Sequence, residues 1–92
     1  MAVYLITYDL NSTGQKYEEV IQTIKDAATA YCSYWKSSYL IKSSLTANQI
    51  VDKIKPHLDN NDKLIVVEAK TSNYQGWLSK EQWKFINENI FN

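Results

Sequence analysis

Arginine is absent from this chain of 92 residues; all ten basic residues are lysines, and ten acidic residues balance them at pH 7. A protein that grips duplex nucleic acid tightly ordinarily shows a basic excess and the guanidinium forks that hold phosphate through paired hydrogen bonds. The composition therefore argues against a dedicated high-affinity DNA binder and leaves a lysine patch on one face of a dimer as the remaining route. Lys36, Lys42, Lys53 and Lys55 are the lysines able to form one, although a solvated surface is the ordinary reading of such charges. Cysteine is equally scarce. Cys32 stands alone, which excludes an intrachain disulfide and a cysteine-built zinc site. In a strand setting with no histidine nearby it reads as a small buried hydrophobe rather than a nucleophile, and the chain reads as cytoplasmic. Long apolar runs are missing too. "LIVV" at 64–67 is far too short to span a bilayer, and "MAVYLITYDL" has no positive start and meets Asp9 too early for a signal peptide, so no membrane partner is expected. Gly14 and Gly76 are too isolated to cradle a phosphate, and no P-loop, dinucleotide fingerprint, zinc spacing or EF-hand occurs. The single histidine, His57, follows Pro56 at a helix end, where an imidazolium suits the helix terminus. It has no acidic or nucleophilic partner visible in the sequence.

What is present is a core. A hydrophobic content of 45% in 92 residues predicts one compact domain over 1–92, small enough that self-association would help it. Seven Tyr and three Trp outnumber two Phe, and rings with a polar tip favour half-buried positions and interfaces. An exposed face that meets a partner is expected.

Residues 2–9 read as a central strand, with Tyr4, Ile6 and Tyr8 on one face and Val3, Leu5 and Thr7 on the other, both largely apolar. "QKYEEVIQTIKDAATA" places Tyr17, Val20, Ile21, Ile24 and Ala28 on one stripe of an amphipathic helix. "YCSYW" and "SYLIKS" read as a hairpin or one bent strand. Thr46 with Gln49 forms a capping box and Leu45 with Ile50 a hydrophobic staple, opening a second helix that Pro56 ends or kinks. "DNND" at 59–62 is a turn, and "KLIVVEA" at 63–69 is predicted to be a strand buried on both faces. Ser79 with Gln82 and Leu78 with Trp83 repeat the box and the staple, opening a helix over about 79–90 with Trp83, Ile86 and Ile90 inward. The order β-α-β-β-α-β predicts an α+β, ferredoxin-like antiparallel sheet with an additional C-terminal helix. Two helices cover one face, and the other needs the C-terminal helix, a second subunit, or both.

"VYLITYDLNSTGQKY" followed by "YWKSSYLIKSSLTANQIVDKIKPHLDNNDKLIVVEA" resembles the small bacterial proteins labelled SinR-like, which belong with the CRISPR-associated protein two (Cas-two) superfamily and the virulence-associated protein D toxins. Tyr8-Asp9-Leu10 is similar to the end of the Cas-two first strand, where an aspartate closes an apolar run. Lys36-Ser37-Ser38-Tyr39 stands where that family has a lysine or tyrosine, then serine, valine and an aromatic. Leu45-Thr46-Ala47-Asn48-Gln49 matches the start of its second helix. The resemblance implies a homodimer in which two copies of Asp9 face each other and, in nuclease members, bind Mg²⁺ for phosphodiester hydrolysis. Other members are non-catalytic adaptors holding nucleic-acid ends. The chain departs from the nuclease pattern in "LNSTGQKYEEV", which has no arginine, and in a helical tail where many relatives exchange a strand.

The expected site is accordingly Asp9 as metal ligand and catalytic carboxylate, with Ser37 as a second contact and Lys36, Tyr39 and Lys42 touching DNA or RNA. Each has a plainer reading. Asp9 can simply organise its turn, beside the Ser12–Gln15 box that starts the helix. Hydroxyls such as those of Ser37 and Tyr39 more often satisfy neighbouring backbone. Trp35, Trp77, Trp83 and Tyr74 suit base stacking, or core and interface; Trp83 fits packing, while Trp77 beside Gly76 is open. Three classes remain: a nucleic-acid-associated homodimeric module, a Mg²⁺-dependent endonuclease or toxin-type ribonuclease, and a structural protein-interaction dimer.

Overall fold

A computed structural model describes residues 1–11, 14–70 and 73–92. Its first element is β1 (Ala2–Asp9), whose β-branched and aromatic residues suit a pleated surface packed on both sides. It lies at the centre of a four-stranded antiparallel sheet of order β2-β3-β1-β4, with β2 at Ala30–Cys32, β3 at Ser38–Ser43 and β4 at Lys63–Ala69. Helix α1 (Gly14–Ala27) links β1 to β2, and α2 (Ala47–Ile54) links β3 to β4; each joins strands with one other strand between them. With the tail helix α3 (Lys80–Phe85), the described residues form a small α+β domain of one antiparallel sheet and three α-helices. Among the described residues, no helix is long and apolar enough to cross a membrane.

Alternation along β1 dictates the layers. Tyr4, Ile6 and Tyr8 point to one side and pack with Val20 and Ile24 of α1, Ile50 and Ile54 of α2, and Tyr39 and Ile41 of β3. The expected capping box starts α2: Thr46 Oγ1 accepts from Gln49 N–H at 3.1 Å, and Gln49 Oε1 accepts from Thr46 N–H at 2.9 Å. Leu45 joins the same core as Ile50, as the staple requires. Pro56 falls in a single 3₁₀ turn, Lys55–His57, that ends the helix. Ser43 is fully buried without an orphaned hydroxyl. It donates to Ala27 O at 2.6 Å and accepts from Leu45 N–H at 3.1 Å, joining the end of α1 to the approach to α2. The Ser12–Gln15 box lies outside the described residues.

The opposite side carries a smaller core of Val3, Cys32, Ile86 and Ile90. Ser79 and Gln82 form the second capping box, after which α3 widens into a π-helical turn, Ile86–Ile90, closed by Phe91 N–H donating to Ile86 O at 3.0 Å. This turn packs on β2 and β3. One expectation fails here. β4 is not buried on both faces: Leu64 and Val66 meet the larger core, but Ile65 and Val67 are 55% and 48% exposed. The reason is topological, since β4 is an edge strand that the tail leaves partly bare.

Candidate functional site

Asp9 closes β1 where the sheet meets solvent. It is exposed, lies opposite Lys63 across the β1–β4 pair, and shares a shallow depression of about 280 Å³ with Thr7, Tyr8, Lys63, Leu64 and Ile65. The structure brings Ser37 to the same end. Tyr8 N–H donates to Ser37 O at 3.1 Å, and Thr7 Oγ1 donates to it at 3.3 Å. Ser37 thus acts through its backbone carbonyl. Its φ of 56° is left-handed, a conformation unfavourable to a residue with a Cβ. Lys36 is exposed in the same turn.

The other expected contacts lie elsewhere. Tyr39 is only 8% exposed, pairs with Ile6, and tilts against Tyr31 with centroids 6.1 Å apart, so its ring belongs to the core. Lys42 sits at the far end of β3, opposite Val3, with its ammonium donating to Asn92 Oδ1 at 2.8 Å. Lys53 and Lys55 are on α2 and the turn after it, on the opposite side of the sheet. The four lysines make no common patch.

Two carboxylates of the "DNND" turn, to which the sequence alone assigns no role, hold Asn11 and Lys16. Asp62 Oδ1 accepts from Asn11 N–H at 2.8 Å, and Asp62 Oδ2 accepts from Asp59 N–H at 3.0 Å and from Lys16 Nζ at 2.7 Å. Lys16 also donates to Asp59 Oδ2 at 2.6 Å. The Lys16 ammonium, helped by the backbone donors, holds both carboxyls below the ordinary aspartate range, and the two carboxylates in turn raise Lys16. The signal in the sequence was the "DNND" turn, which showed carboxylates but not their distant partner. His57 likewise has an acidic partner that its neighbourhood in the chain did not reveal, Glu19, with Nδ1 3.1 Å from Oε2. Burial pushes the Cys32 thiol up, which keeps it protonated among Val3, Ile86 and Ile90.

A second feature lies on the tail side of the sheet. A groove of about 360 Å³ runs between β1, β3 and the tail, lined by Leu5, Trp35, Leu40, Trp83, Ile86 and Phe91, with Tyr74 and Trp77 at its rim. Tyr74 is fixed twice: its ring stacks on Phe91 at 3.7 Å and 7°, and its hydroxyl donates to Asn87 Oδ1 at 2.6 Å. Leu5, Trp35 and Trp77 are 37%, 53% and 99% exposed.

No family model matches the chain, and no curated protein matches it. Among the described residues, no group of three or more His, Cys, Asp and Glu side chains is placed to hold a metal ion. One copy offers the Mg²⁺ implied by the resemblance a single carboxylate, Asp9, with Lys63 across from it. That is too little for a hard cation that takes several oxygen ligands, so one chain alone does not fit the ion.

Proposed function

We propose that the chain is a ferredoxin-like homodimeric binding module, associated with nucleic acid, of the SinR-like branch of the Cas-two and virulence-associated protein D superfamily. The strand order and the two helical connections that each skip a strand support the fold name. Self-association is supported by one observation above all, the bare half of the tail-side face. Two successive cross-strand rows there, Leu40-Leu5-Val67 and Ser38-Thr7-Ile65, contain no charged side chain. Exposed apolar area of this kind, rimmed by polar groups, is characteristic of an interface. Lys63, opposite Asp9, and Lys36, next to Ser37 in the turn at the same end of the sheet, are both exposed and support contact with phosphate there.

Sedimentation equilibrium over a range of concentrations tests the dimer, with Val67→Lys as the disrupting variant. The expected result is a wild-type dimer that the lysine abolishes; a monomer throughout sinks the reading. Oligonucleotide binding should be weak and should fall with salt, and Lys36→Ala should weaken it. A dimer that binds no oligonucleotide is the structural protein-interaction dimer instead.

The enzyme reading, a Mg²⁺-dependent endonuclease or toxin-type ribonuclease, draws support from one placement. Asp9 lies on the same side of β1 as Leu5 and Thr7, so association through that face puts the Asp9 carboxylate of each copy on the shared side of the sheet. Wild type and Asp9→Ala, each with labelled RNA and DNA in Mg²⁺ or chelator, decide it: metal-dependent cleavage lost in the variant supports the enzyme, and equal background removes it.

A further inference from the structure

We infer that the tail-side groove is the seat for Trp77 of a second copy of this chain, inserted reciprocally across a two-fold axis. The inference rests on the homodimer proposed above and names the contact that anchors it.

Trp77 is 99% exposed. A tryptophan ring offers about 150–250 Å² of surface to bury and dominates an interface when it finds a pocket, yet this one stands clear of its own chain. The groove beside it is the complementary shape. Its volume of about 360 Å³ lies in the range of sites that hold ring-sized groups. Trp77 lines its rim without filling it. Leu5, Leu40 and Ile86 are aliphatic, and Trp35, Trp83 and Phe91 supply aromatic faces. Tyr74 is already locked by Phe91 and Asn87, so this wall needs little ordering when a ring arrives.

Three observations favour a second copy over other occupants. Knob and hole lie on one face of one chain, which is the requirement of an isologous pair: each subunit gives a ring and receives one, and the contact closes after two copies. No charged residue lines the groove, so a polyanionic strand entering it would bring phosphates with no cation to meet them. The formal net charge is zero, so two copies meet without overall repulsion. Leu5 also pairs with Val67, which makes the groove continuous with the exposed Val67 and Ile65. An inserted ring would draw that apolar surface into the same contact.

The test uses the full chain labelled with 5-fluorotryptophan, the Trp77 resonance being assigned by its loss in Trp77→Phe. The resonance should move as concentration rises through the dimerisation range seen by sedimentation. Trp77→Ala should weaken dimerisation at least about tenfold. This variant removes a ring that touches almost nothing in its own chain, so folding is not at issue. Ala69, at the end of β4, lines the groove too, and Ala69→Leu, which narrows it, should weaken dimerisation as well. A wild-type dimer whose Trp77 resonance stays fixed, matched by an equally strong Trp77→Ala dimer, overturns the inference and leaves the homodimer standing. A monomer at every concentration overturns both. A monomer whose Trp77 resonance moves only on adding an oligonucleotide assigns the groove to nucleic acid and overturns the inference.

Discussion

Val3 and Leu5 lie on the same side of β1, two residues apart, yet Val3 is buried beneath the tail and Leu5 is 37% exposed. On the other side of the same strand, Tyr4, Ile6 and Tyr8 are all buried beneath α1 and α2. Composition is not what separates Val3 from Leu5, since both are aliphatic residues of one face. The difference lies in cover. Two helices close one face along the whole of β1, and a six-residue helix with a widened last turn closes part of the other. A sheet face left in this state is a surface with a use, because isolated apolar residues are common on proteins but a connected set is not.

Core truncation breaks the comparison most sharply. Ile6→Ala on the closed face removes a fully buried side chain and should cost about 2–5 kcal/mol in urea denaturation, whereas Ile65→Ala on the open face should cost under about 1 kcal/mol in dilute solution. Equal losses would mean that the open face is already covered at the dilution used.

A smaller, pH-dependent effect belongs to the clamp of Lys16, Asp59 and Asp62, which ties α1 to the loop before β4. Both aspartates are held below their ordinary range when folded. Their stabilisation is therefore complete above the unfolded value of about 3.9 and is lost as pH falls through the lower folded values. Lys16 is raised, so its share persists through neutral pH and disappears only above the ordinary lysine range. Urea midpoints measured from about pH 5 down to pH 2 should fall steeply for wild type and less steeply for Asp62→Asn. Parallel curves would show that the clamp does not contribute.

The smallest effect concerns the turn that reaches Asp9. Ser37→Gly should raise stability by about 0.5–1 kcal/mol, because glycine accepts the φ of 56° without the Cβ clash and the carbonyl that receives Tyr8 N–H is retained. A loss of stability would instead give the Ser37 hydroxyl a structural task.

Local chemistry made much of this architecture legible. The capping boxes at Thr46 and Ser79 involve residues three apart, and both form as expected. The alternation in β1 is a period-two pattern that only a strand can use. β4 departs from the expectation because an unbroken run such as "LIVV" looks the same in a strand covered twice and in an edge strand awaiting a partner. The clamp was invisible for another reason: Lys16 lies 43 and 46 positions from its two carboxylates, and only the return of the chain beside β1 brings them together. The family resemblance alone is what groups Asp9, Lys36 and Ser37, and the three share one end of the sheet. Strand parity sent Tyr39 inward, and distance along β3 took Lys42 to the other end.

The tail helix is joined to the sheet it covers, and this has a competitive consequence. A tethered guest enjoys an effective concentration on the order of millimolar, which a free guest of equal intrinsic affinity must exceed to displace it. An incoming molecule that binds no more tightly than the tail therefore docks beside α3 rather than in its place. The position of this short appended segment dictates which strip of the sheet the rest of the cell can reach.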